Sequence, residues 1–201
     1  MGKGYEHIYA TLLPKLAGRA DFAENAVRLG AKAAGEGVFL HFLGRDYIIT
    51  RNGAEPLDGQ PVDVNNRSVL IYYILSDGSG EPSRDFAQLN RLTGLIDGQN
   101  SLTKDFMSVP LVRKFGHDSE GLGQAVARLG GAKLPAAASG KHVWQLRPLP
   151  KILAQIVLYE EDDEFPADIQ IMFDRTAPRF LDFECLAFMS GCMIHALLGD
   201  R

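Results

Sequence analysis

The sequence predicts an α+β domain: a mixed or antiparallel sheet with helices packed on it. Three observations carry this. Stretches with apolar residues at helical spacing open and close the chain. β-rich runs come in pairs around turn residues, as in GEGVFLHFLGRDYIITRNG, residues 35–53. And AVRLGAK, residues 26–32, returns as AVARLGGAK, residues 125–133, each ending a predicted helix and leading toward two β-rich runs.

The elements follow in order. Residues 5–17 read as an amphipathic helix with Tyr5, Ile8, Leu12 and Leu16 on one side, kinked or ended by Pro14. Residues 21–34 read as a second helix, capped by Asp21, with Ala26, Leu29 and Ala33 inside. Val38–Leu43 and Tyr47–Thr50 form a hairpin around Gly44-Arg45-Asp46. A helix over about Arg67–Leu75 takes Asn65 or Asn66 as its cap, with Gly78 just past its end. A strand competes there, because Val, Ile and Tyr are β formers. From 77 to 120, SDGSGEP, LTG and DGQNS punctuate the apolar pieces Phe86–Leu92 and Phe106–Phe115, which predicts short helices and loops. Residues 119–129 read as a helix ending at Gly130-Gly131. KLPAAASGK, 133–141, is a small-residue loop, and Val143–Leu146 a strand. LPKILAQIVLYEEDDEFPADIQIMFD is strand, acidic turn, strand, and Leu181–Leu198 the clearest helix.

One domain over 1–201 is expected, with candidate halves 1–76 and 119–201 and a looped middle, 77–118. The order helix–strand–strand–helix occurs twice, and the acidic run takes the turn position that Gly44-Arg45-Asp46 holds in the first copy. A duplication implies a pseudo-two-fold domain with a joint sheet and a ligand cleft between the halves. Coincidence among common residues is the plain alternative.

Composition excludes several classes. The chain is 46% hydrophobic with a net charge of −4 and no basic stripe, which argues against nucleic acid. Its longest apolar runs, such as Ile152–Tyr159, are too short to span a bilayer. The first twenty residues lack the apolar segment of a secretory signal. Glu6 breaks the myristoylation pattern after Gly2. Cys185 and Cys192 stand about 10 Å apart along a helix, too far for a disulfide. A reduced, cytoplasmic protein is the expectation.

Five consecutive carboxylates, Glu160 to Glu164, raise the question of function. They lack the alternation and the glycine of a dedicated calcium loop. A metal set would take Asp162, Asp163 and Glu164, with Asp174 or Asp168 across the hairpin. A solvated or partner-facing turn is the plain reading, and an acid–base catalytic pair the third. Cys185, Cys192 and His195 on the last helix suggest three soft ligands, short of the usual four, so the stripe reads as core and no iron–sulfur cluster is expected. His41 shares a strand face with Phe39 and Leu43, as a core histidine or an axial ligand. His142 and Trp144 share a face and could line a pocket rim. His117-Asp118 reads as the loop leading into a helix. There is no GxSxG elbow, no Walker loop and no dinucleotide fingerprint.

LPKILAQIVLYEEDDEFPADIQIMFDRTAPRFL resembles the signature of the DUF3786 family, bacterial and archaeal proteins common in anaerobes. Tyr159, the segment Asp162 to Ala167, and Met172-Phe173-Asp174 stand at the family's aromatic, acidic and strand-end positions. VPLVRKFG, 109–116, and FLGRDYII look like further pieces. Glu161 replaces a glycine that often precedes the acidic triplet, and the cysteine-rich segment of some members is absent. The resemblance implies that the acidic turn is a family feature, but implies no activity.

The functional expectation is a non-catalytic protein that binds a small molecule or cofactor. A tetrapyrrole or corrinoid is the favoured ligand, with His41, His142, Trp144 and His195 as candidate contacts. The alternatives are an interaction module whose acidic hairpin, 159–168, docks on a basic protein partner, and a metal-dependent hydrolase using Asp162, Asp163, Glu164 and Asp174. A homodimer is expected, and no membrane partner.

Overall fold

The computed structural model describes residues 3–92, 100–135 and 138–199. The turn signals within 93–99 and the centre of the small-residue loop, 136–137, lie outside the described residues, as does the side chain of Tyr5. The fold is α+β, with helices packed on two antiparallel sheets.

Helix α1, Lys3–Gly18, runs through Pro14 without ending there. Pro14 and Ala10, whose carbonyl loses its partner, are both exposed, so water satisfies the freed group. Leu12 and Leu16 are buried. Helix α2, Phe22–Arg28, stops well short of residue 34. Gly30 takes a φ of 92°, and the N–H groups of Gly30 and Ala31 donate to the carbonyls of Val27 and Ala26. That left-handed cap turns the chain into a strand holding Ala33. Asp21 stands at the N-cap, but its carboxylate pairs with Arg19 instead of capping.

The first sheet is a four-stranded meander: β1 Lys32–Ala34, β2 Gly37–Phe42, β3 Arg45–Thr50 and β4 Gly53–Pro56. Helix α3, Val64–Leu75, follows and is buried nearly all round, which is why its β-forming residues lack a clear helical stripe. Its cap is Asp63, which accepts the N–H of Asn65 at 2.7 Å, and not Asn65 or Asn66.

The middle is more ordered than a looped segment. It holds β5 Phe86–Gln88, α4 Leu89–Leu92 and α5 Asn100–Phe115. Then come α6 Ser119–Arg128, β6 Ala132–Leu134, β7 Lys141–Leu149, β8 Ile152–Tyr159, β9 Asp168–Asp174, a 3-10 turn Ala177–Arg179, and α7 Phe183–Leu198. The second sheet has the order β5-β9-β8-β7-β6. Among the described residues, no helix is long and apolar enough to cross a membrane.

The order helix, four strands, helix thus runs twice, as α2-β1-β2-β3-β4-α3 and α6-β6-β7-β8-β9-α7. This corrects the placing of the acidic run. It joins β8 to β9, so its positional counterpart is the Arg51-Asn52 turn between β3 and β4. The counterpart of Gly44 is the Pro150-Lys151 turn between β7 and β8. The two parts meet reciprocally. A methyl group on Gly30 would stand 2.6 Å from Cβ of Pro150, and one on Gly44 would stand 2.5 Å from the carbonyl of Arg128. One apolar core runs through both.

Candidate functional site

Strand β8 leaves the core at Tyr159, and Glu160 to Glu164 are all exposed. The Glu160 N–H donates to Gly140 at 2.8 Å, extending the β7–β8 pairing by one step. Asp162 then builds the turn. Its Oδ1 accepts the N–H groups of Glu164 at 2.9 Å and Phe165 at 2.8 Å, and its own N–H donates to the Phe165 carbonyl at 3.0 Å. A short acidic side chain suits this role because it can mimic a backbone turn. The result presents Phe165, 67% exposed, beside the carboxylates. At the foot of the turn, Ser108 of α5 donates to Asp168 at 2.7 Å.

Beside the turn lies an open groove of about 560 Å³, lined by Gly116, His117, Ser119, Leu158 and the carboxylates Glu160 to Asp163. The α5–α6 connection supplies the opposite wall. Its Asp118 caps α6 by accepting the N–H of Gly121 at 2.8 Å, as expected of a residue leading into a helix. His117 Nε2 stands 3.7 Å from Glu161 Oε2. His142 Nε2 stands 2.7 Å from Glu160 Oε1, and its ring stacks on Trp144 with centroids 5.9 Å apart. Trp144 is buried under α6, where a methyl group on Gly123 would stand 3.1 Å from its Nε1. Lys133 Nζ lies 5.6 Å from the indole centre.

The fold therefore joins two of the expected ligand contacts, His142 and Trp144, to the first carboxylate of the acidic run. It does not bring the other two to them. His41 points outward from β2, exposed, with Nδ1 2.7 Å from Asp46. Val38, Leu40 and Phe42 form the buried face, so His41 is not a core residue. Leu43 is buried only because the chain turns there at a φ of 48°. His195 sits on the exposed side of α7. Neither described cavity is lined by His41, His142, Trp144 or His195.

The metal set is divided too. Asp162, Asp163 and Glu164 stand at the turn. Asp174 lies at the far end of β9, about 20 Å away along the strand. It is fully buried and accepts five hydrogen bonds, from the N–H and hydroxyl groups of Ser83 and Thr176 and the N–H of Arg84. Burial pushes its pKa up, but the donors, Thr176 foremost, outweigh this and hold it below the ordinary carboxylate value. Asp174 is a structural clamp on the 83–85 loop. Among the described residues, no three His, Cys, Asp or Glu side chains are grouped to hold a metal.

Cys185, Met189 and Cys192 are buried, and burial raises both thiols, Cys192 to about 12. Sequence reasoning missed the groove wall, Gly116, His117 and Ser119. Those residues stand more than forty positions from the acidic run, and no local pattern marks their meeting.

A family model described as Domain of unknown function (DUF3786) matches residues 21–196, nearly the whole chain. No curated protein and no solved structure matches it.

Proposed function

The chain belongs to the DUF3786 family, and on that footing we propose that it is a non-catalytic binding module whose β8–β9 tip takes a basic segment of a partner protein. The observation that carries this is Phe165. Among the described residues Phe165 is the most exposed large hydrophobic residue, at 67% against 36% to 52% for the others, and it sits on a preformed turn beside exposed carboxylates. A basic segment alternating cationic and apolar residues would satisfy both. The groove beside it offers Glu160 to Asp163 for the cations. The turn is already closed by Asp162, so little ordering entropy opposes docking.

The test uses a fluorescently labelled Lys/Arg/Leu peptide, with a Glu/Leu peptide as control. Binding of the first alone, weakening as salt rises, is expected. Phe165→Ala and, separately, the combined Glu160→Gln, Glu161→Gln, Asp163→Asn variant should each weaken it. If the basic peptide binds the Phe165→Ala protein as well as the parent, attraction is only general charge and the proposal fails.

A further inference from the structure

The acidic tip carries its own means of losing charge. Four carboxylates line the groove, Glu160 to Asp163. Asp162 is committed to the turn, where its Oδ1 already accepts two backbone N–H groups. Of the three that remain, two face an imidazole. Glu160 stands 2.7 Å from His142 Nε2, and Glu161 stands 3.7 Å from His117 Nε2. The two rings come from different elements, β7 and the α5–α6 connection, and meet neighbouring carboxylates of one run.

The pairs differ in setting. The His142 side chain is 21% exposed and stacks on Trp144, whereas that of His117 is 80% exposed. Salt screens a sheltered pair less than an exposed one, so His142 is the stronger of the two. The surrounding elements bring further charges. Lys133 of β6 lies over the same indole. Helix α6, packed on Trp144, starts after Asp118 and carries Glu120 in its first turn. Lys141 alternates to the other face of the sheet, with its Nζ 5.3 Å from the Tyr159 ring centre. With the acidic run itself, carboxylates outnumber cations here, so a proton on either ring lands beside opposite charge.

Building on the groove proposed above to hold a basic segment, we propose that His142 and His117 make the charge of the acidic tip depend on pH, and with it the tip's hold on that segment. Histidine is the side chain whose charge ordinarily changes between pH 5 and 8. Carboxylates ordinarily titrate near pH 4, below that interval. With both rings neutral, Glu160 to Glu164 present five negative charges. With both protonated, two of the five are offset and three are left. The two that are offset, Glu160 and Glu161, are two of the three groove carboxylates otherwise open to a cation.

Trp144 gives a readout that needs no partner. It is the only tryptophan, and its ring lies against His142 with centroids 5.9 Å apart, so a proton on that imidazole should quench its fluorescence. The emission should fall between pH 8 and pH 5.5 in the parent and stay level in His142→Gln. Glu160→Gln removes only an exposed carboxylate and should move the midpoint of the fall to lower pH. At constant ionic strength, the labelled Lys/Arg/Leu peptide should bind about tenfold more weakly at pH 5.5 than at pH 8. In the combined His117→Asn, His142→Gln variant the ratio of the two affinities should approach one, with an unchanged circular dichroism spectrum. A midpoint that ignores Glu160→Gln overturns the proposal. So does a peptide that binds the parent equally at both pH values. A peptide that binds at neither pH, with the Glu160-dependent fall intact, overturns the groove reading alone and supports the charge switch.

Discussion

The Tyr73 hydroxyl accepts the backbone N–H of Lys151 at 3.0 Å while donating to the carbonyl of Leu29 at 2.6 Å. One buried oxygen thus ties the end of α2 to the β7–β8 turn, seventy-eight residues along the chain from Tyr73. Burial raises the phenol's pKa, so it stays a donor at every ordinary pH. Tyr73→Phe keeps the shape and leaves a buried carbonyl and N–H unpaired. A loss of about 1–3 kcal/mol is expected in urea unfolding. A loss near zero would mean that water enters the junction.

The two helix-ending glycines should not tolerate alanine equally. Gly30 and Gly130 take φ values of 92° and 80°, so each substitution costs about 1–2 kcal/mol in backbone strain. At Gly30 the new methyl group also meets Cβ of Pro150 at 2.6 Å, whereas at Gly130 the nearest atom, His41 Nε2, is 3.9 Å away. Gly30→Ala should therefore lower the melting temperature more than Gly130→Ala. Equal losses would show that the Pro150 turn yields freely.

Asp174 sets an acid limit on stability. Its folded pKa lies below the unfolded value, so its contribution is present above about pH 4 and is lost as pH falls through the folded pKa. Asp174→Asn turns an amide N–H₂ toward existing donors and should cost roughly 2–4 kcal/mol at neutral pH. Stability measured from pH 2 to 7 should fall more steeply at the acid end in the parent than in the variant. Parallel curves would contradict the role given to this carboxylate.

The two thiols should be silent in the folded protein. Both are under 8% exposed, and burial raises their pKa values, Cys192 to about 12, which suppresses the thiolate. Ellman's reagent at pH 8 should react only as fast as the chain opens, and at once in guanidinium. Rapid reaction of one native thiol would place it nearer the surface.

Phe165→Ala should leave the melting temperature unchanged within about 0.5 kcal/mol of stability, because the ring touches no core. Any larger loss would make the ring a packing residue rather than a presented one.

Much of the fold was legible from local pattern. β2, β3, β8, β9, α6 and α7 are long or periodic enough to declare themselves, and the acidic turn stood out by composition. β1, β4, β5 and β6 did not, because strands of three or four residues carry almost no periodicity. Without β1, β4 and β6 the acidic run falls one strand away from its true counterpart, the Arg51-Asn52 turn. The alanines past Arg28 favour a longer α2, but the φ of Gly30 stops the helix.

By itself, the sequence determined the class, the family and the chemistry of the tip, since these rest on spacing, motif and residue type. Only the tertiary structure decided which residues meet. It set His117 against Glu161 and His142 against Glu160, turned His41 outward, and buried Asp174 at the far end of β9 from the carboxylates it had been grouped with. The reason is physical. A strand's side chains alternate between faces, and which face becomes the core depends on what packs against it from elsewhere in the chain.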